Sequence, residues 1–217
     1  MKKIAVTIIG LLFIAVFANA QRVTNIFNKG IYRSHFSSDV RAPLFVTYHL
    51  YHGGGPCDRR VEHFSFRKCD GFLQVASDDD YDHSNYEKGH LANAEDFAAS
   101  CILEEKTFCY FNCVPQTLTL NRGIWKSWEY KIRQMSQTKH LFIIAGAIYG
   151  SATLKPQSRV RVPTYCYKIV FEEGTANPPI CLLFPNDTSN TVKESSILDI
   201  ENRLKYYLST AALLRNE

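Results

Sequence analysis

Beyond residue 20 the sequence is defined first by what it lacks. No apolar run there approaches the roughly 20 residues that a bilayer span requires, which excludes a transmembrane helix from residues 21–217. No stretch has the composition of a linker and no segment recurs, which argues against a string of domains or a repeat array. Low-complexity segments are missing too. Nor is there a marked excess of charge of one sign. The whole chain carries a formal +4, and without Lys2 and Lys3 the balance is 23 basic against 21 acidic residues, a net of +2. That is too little to argue a polyanionic partner from overall charge. Only a local patch could do so. The candidates are Arg59, Arg60, Arg67 and Lys68, with Lys88, Arg122 and Lys126, and each also reads as an ordinary solvated cation. Finally, Cys109 and Cys113 form a C-x3-C pair, but no second pair of ligands follows at finger-like spacing, which argues against a structural zinc site.

The first twenty residues differ from the rest. Lys2 and Lys3 precede a nearly unbroken apolar run, Ile4 to Phe17, and Ala18-Asn19-Ala20 offers a small-x-small cleavage site before Gln21. This is the pattern of a secretory signal peptide, and the run is short for the competing reading, a membrane anchor. The expectation is a removed signal at 1–20, a single domain at 21–217, and a secreted or periplasmic product. All seven cysteines lie in that domain. Export makes disulfides chemically accessible, and an odd count leaves at least one thiol over. Cys166 and Cys181 flank the turn Glu173–Pro178 almost symmetrically, so they are the expected pair.

Leu44–Tyr51, Phe108–Val114 and Leu141–Tyr149 read as strands, with Pro115 ending the second. Val160–Phe171 and Ile180–Phe184 read as a hairpin. Residues 53–82, rich in Gly, Asp and Cys, read as a long irregular segment with a short strand or two, of the kind that usually carries function. Asn93 is placed to cap a helix over 94–105. Ile124, Trp128, Ile132 and Met135 recur at helical intervals within 121–137, and Ile197, Ile200, Leu204 and Leu208 within 196–214. Strands and helices mix without strict alternation. The fold class expected is α+β, with a mixed, mainly antiparallel sheet core and flanking helices.

Two stretches carry candidate chemistry. In NYEKGHLANAEDF, His90 can accept a proton near neutral pH. Lys88, two residues earlier on a strand, points the same way and could hold an anion beside it. Gly89 between them would let a substrate approach the backbone. A lone histidine is nonetheless more often structural. In NCVPQTLTLNRGIWKSWE, Asn121 stands at a helix start and Glu129 lies eight residues on, about 12 Å along the axis. Both cannot easily bind one ion directly. An ion on the Asn121 carbonyl oxygen, with Glu129 orienting one of its waters, fits that geometry. So does the plainer view that Asn121 caps a helix and Glu129 is a surface acid, and spacing alone favours the plainer view.

Taken together the two stretches are similar to the DNA/RNA non-specific endonuclease family, the sugar-non-specific nucleases with a ββα-metal core. The family's D-R-G-H appears as Glu87-Lys88-Gly89-His90, and its N-x3-Q-x4-N-x-G-x-W-x3-E run as Asn112, Gln116, Asn121, Gly123, Trp125 and Glu129. APLFVTYHL, VRVPTYCYKIV, ICLLFPND and ILDIENRLKYYL extend the resemblance over most of 42–208. It implies an endonuclease that hydrolyses DNA and RNA to 5′-phosphate ends, using Mg²⁺ with Mn²⁺ able to substitute. His90 would be the general base, Asn121 the single protein ligand to the ion, and Glu129 an outer-shell group. Lys88 takes the place of the motif's arginine, and Arg60, with Arg59 as runner-up, that of an upstream phosphate-binding arginine. Glu87, Gly89, Asn112 and Gln116 would support the site. Glu87 and Lys88 depart from the motif. Charge is kept, but lysine lacks the planar fork that grips a phosphate twice. The alternative is a weak or inactive nucleic-acid-binding protein on the same fold. Asn93 also stands where relatives often have proline.

Overall fold

The computed structural model describes residues 21–205 and 208, the side chains of Arg59 and Arg60 excepted. The expected signal segment and the end of the last expected helix lie outside the described residues. Three strands open the chain: β1 (Asn25–Asn28), β2 (Arg33–Ser37) and β3 (Ala42–Leu50). Two short helices follow, α1 (Arg59–Glu62) and α2 (Asp78–Tyr81), then β4 (Tyr86–His90). A 3-10 turn over Ala94–Phe97 leads to α3 (Cys101–Glu105), and another over Tyr110–Asn112 to β5 (Cys113–Thr117). The single turn α4 (Leu118–Leu120) passes through a π-type turn, Asn121–Trp125, into α5 (Lys126–Met135). The remainder is β6 (Leu141–Thr153), β7 (Arg161–Glu172), β8 (Ile180–Pro185), β9 (Lys193–Glu194) and α6 (Ile197–Leu204).

Seven strands form one antiparallel sheet in the order β1-β2-β3-β6-β7-β8-β9, and β4 and β5 form a separate two-stranded ribbon. This is the expected α+β class. Because β3 pairs directly with β6, the whole of 51–140 is an excursion between two neighbouring strands. The centre of the sheet explains its apolar sequence. Phe142, Ile143, Ile144 and Ala145 of β6 are all fully buried, so both faces are covered and no polar alternation is needed. Ile200 and Leu204 of α6 join the same core.

Several expectations are corrected by tertiary contacts. Pro115 does not end a strand. It lies inside β5 opposite Lys88, on a ribbon narrow enough to tolerate a missing N–H, and its carbonyl accepts from Asn186 Nδ2 at 3.0 Å. Residues 53–82 hold two short helices and one isolated bridge, Arg67 to Cys109, in place of a strand. The helix expected over 94–105 is broken. Asn93 does cap its first turn, accepting from Glu95 N at 2.7 Å. The incoming 54–57 backbone then takes the Asp96 and Ala98 carbonyls.

Cysteine pairing also differs. Cys57 bonds to Cys101 and Cys69 to Cys109, while Cys113, Cys166 and Cys181 are buried thiols. The expected Cys166–Cys181 bond fails on register, since Cys166 faces Phe184 and Cys181 faces Ile169.

Candidate active site

The ribbon is built around one glycine. A Cβ on Gly89 would lie 2.1 Å from Gln116 Oε1, so only glycine lets the buried Gln116 side chain lie across β4. The space expected for an approaching substrate is therefore filled by protein. Beneath the end of β4, Asn112 ties three backbone groups together. Its Oδ1 accepts from Ala92 N at 2.8 Å, and its Nδ2 donates to the carbonyls of Ala92 at 2.9 Å and Thr107 at 3.0 Å. Gly89, Asn112 and Gln116 thus support the ribbon from below.

The other face opens on a cleft of roughly 1340 Å³. Glu87, Lys88, His90, Asn121 and Glu129 all line it. The His90 ring packs against a pair of touching rings, Phe66 and Phe108, with centroids 4.4 and 4.7 Å away. Lys88 is ion-paired with Asp78 of α2, which also accepts from the Tyr110 hydroxyl at 2.7 Å. That pair and that hydroxyl hold the Asp78 carboxyl below its ordinary range. Asn121, next to Glu87 in the same cleft, is not the cap of a helix. Thr117 takes that role, its hydroxyl accepting from Leu120 N. Instead Asn121 opens the π-type turn, and its Nδ2 donates to Glu87 Oε2 at 2.9 Å. Glu87 also receives the Arg122 guanidinium. With the nitrogen so engaged, the Asn121 carbonyl oxygen is the side chain's remaining ligand atom. Gly123 leaves helical geometry in this turn, where a Cβ would meet Asn190 Oδ1 at 2.1 Å. Asn190 accepts from Ile124 N and so pins the kink to the β8–β9 loop.

Glu129 is not a surface acid. It is buried on the face of α5 that also carries Trp125 and Ile132, while Ile124, Trp128 and Met135 are only half-buried. Burial pushes its carboxyl up to about 7, against the opposing pull of Lys168. Arg60 cannot be placed, because its side chain lies outside the described residues. Two cleft residues went unnoticed in the sequence. Arg133 donates to Asp96 at 2.9 Å and to Glu95 at 2.7 Å. Its position one helical turn after Glu129 was the available signal. Asp78 had none, since nothing local links it to Lys88.

A ribbon bearing an imidazole, followed by a helix whose head presents an amide into the same cleft, defines a ββα-type site. Comparison with known proteins agrees. The family described as DNA/RNA non-specific endonuclease matches residues 12–209. A nuclease from Nostoc sp. is 36% identical over 118 residues, covering 49% of this chain and 43% of its own. The mitochondrial nuclease EXOG of Danio rerio is 28% identical over 113 residues, covering 46% and 33%, and bovine mitochondrial endonuclease G is 28% identical over 111 residues, covering 46% and 37%. The chain therefore matches less than half the length of these relatives. The EndoG/EndoGI complex, solved to explain EndoG inhibition, superposes with a TM-score of 0.72 over 83% of both chains at 21% identity, a likeness of fold. The chain belongs to the DNA/RNA non-specific endonuclease family.

Proposed function

We propose that the protein is an exported, Mg²⁺-dependent endonuclease that hydrolyses DNA and RNA phosphodiesters and leaves 5′-phosphate ends. Its working part is a single domain, 21–217, after loss of the leader. One observation carries the reading: His90 and Asn121, thirty-one positions apart, line one cleft. Among the described residues no cluster of three or more His, Cys, Asp or Glu side chains could cage a metal. A site with few protein oxygens suits a hard cation that keeps most of its waters, and the Asn121 carbonyl oxygen fits that need, with Mn²⁺ as a substitute. When bound there, the ion supplies Lewis-acid stabilisation of the phosphate and of the leaving 3′-oxygen. His90 takes a proton from the attacking water. Phe66 and Phe108 together form an aromatic wall against its ring, which restricts the ring's rotation. Lys88 meets the phosphate with donors that Asp78 leaves unused, and Glu129 orients water from the outer shell. Contacts mainly to phosphate read no sequence.

The Asp78 contact supports the second reading. A carboxylate on Lys88 offsets the cation at the motif's arginine position, as expected of a weak enzyme or a pure binder. Plasmid nicking with and without Mg²⁺ separates the two. Wild-type cleavage should stop on adding EDTA, and His90→Ala should lose roughly 10³-fold or more in rate, the scale of a general base with its orientation. Cleavage that survives EDTA, or survives loss of the imidazole, defeats the proposal. Binding without any cleavage favours the binder.

A further inference from the structure

One charged side chain near the cleft has no part in this scheme. Lys168 lies in the middle of β7, between Ala145 and Leu182 on the flanking strands, with no exposed surface. Its Nζ has no hydrogen-bond partner and stands 3.9 Å from the centre of the Trp125 ring. Burying an ammonium without hydrogen bonds carries a penalty of several kcal/mol and calls for a compensating negative charge. Burial lowers the pKa of the Lys168 ammonium, and the carboxylates of Glu129 and then Asp96 oppose that shift. Asp96 already has Arg133 at 2.9 Å and the Tyr48 hydroxyl at 3.2 Å, and Arg133 is further engaged by Glu95. Around Glu129 stand Arg133 on its own helix, Asn93 and Asp96 from the 3-10 turn, and Lys168 from the sheet. Asn93 donates to it, Asp96 repels it, and Arg133 is shared among three acids. That leaves Lys168, which has no hydrogen bond of its own and lies over the ring of Trp125, one helical turn before Glu129.

We propose that Lys168 is a positioning residue whose charge, set behind Trp125 on the core side of the cleft, holds Glu129 in its carboxylate form without touching it. The inference rests on the nuclease reading for the value of an ionised Glu129, but the charge effect is a property of the metal-free chain. Two buried acids, Asp96 and Glu129, balance two cations, Arg133 and Lys168. Removing Lys168 leaves an uncompensated acid. Glu129, which burial already pushes up to about 7, then takes the proton. A protonated carboxyl offers one less acceptor to a hydrated ion.

The decisive measurement is carboxyl ¹³C NMR on metal-free protein labelled at glutamate, with Glu129 assigned by its loss in Glu129→Gln. In Lys168→Met, which keeps the apolar stem, the Glu129 midpoint should rise by about one pH unit or more, equivalent to removing one nearby charge. In cleavage assays the acid limb should move up by the same amount and half-saturation by Mg²⁺ should rise about 10-fold, the usual scale for a group behind a metal site. Lys168→Met should add nothing in a Glu129→Gln background. An unmoved midpoint, or losses that add in the double variant while only the melting temperature falls, would make Lys168 mere filling and overturn the inference. Lys168→Gln provides the same test if the methionine variant does not fold. Wild-type protein that never cleaves defeats the nuclease reading, whereas the NMR result stands or falls by itself.

Discussion

The sheet and the excursion at 51–140 are held by different forces. In the sheet, stability comes from apolar burial. Strands β3, β6, β7 and β8 cover one another, and most of their side chains are below a few percent exposed. In the excursion, much depends on single polar groups with assigned partners. Asn112 binds three backbone groups, and Asn186 ties the ribbon back to the sheet through Thr117 N, Pro115 O and Pro163 O. Apolar packing tolerates shape-conserving change, while a buried hydrogen-bonding group does not. The candidate site lies in the second region, where positions are set by direction as well as volume.

That contrast can be broken or sharpened by substitution. Asn112→Ala should have the largest effect on stability, about 3–5 kcal/mol, because it strands three buried backbone groups at about 1–3 kcal/mol each. Urea unfolding measures it, and a loss under 1 kcal/mol would erase the distinction between the regions. The sheet also buries a titratable ring, His35 on β2, stacked on Phe45 at 4.2 Å. Burial, helped by Arg33, lowers its pKa from 6.5 to about 4. A depressed histidine binds its proton more readily when unfolded. Stability is therefore lost as pH falls from 6.5 through 4, by about 3 kcal/mol in full. His35→Phe should not show this loss in urea melts across that range. Gly89→Ala should lose about 1–3 kcal/mol by overpacking against Gln116, and a second change, Gln116→Ala, should recover part of it. If both single variants are stable and fully active, the ribbon is looser than described. Ile144→Val, in the middle of the sheet, should lose only about 1 kcal/mol and leave cleavage unchanged.

The same contrast decides how much could be read from the chain alone. The four central strands of the sheet, β3, β6, β7 and β8, were legible because a run such as LFIIAGAIY has one physical solution, burial on both faces, whereas the short outer strands β1, β2 and β9 carry no such run. That His90 and Asn121 line one cleft was legible through the two motifs and not through spacing. What escaped was long-range. Pro115 reads as a stop until its ribbon partner is known. Glu129 reads as a surface acid until Lys168 and Arg133 arrive from other positions to balance it. The cysteine pairing needed register, and a shift of three residues separates Cys166 from Cys181. Lys168 itself left a trace, a lone cation in the apolar strand TYCYKIVF, that went unused.

Both disulfides lie wholly inside the excursion, and the second joins Cys69, three residues after Phe66, to Cys109, next to Phe108, the two rings that pack against His90. Among the described residues no sulfur bridge braces the large sheet. Oxidation of the two pairs therefore braces the excursion and leaves the sheet unbridged. A freshly made chain that has not met an oxidant would lack this brace beside its base. Thiol oxidation, as well as folding of the sheet, would set when each molecule becomes competent.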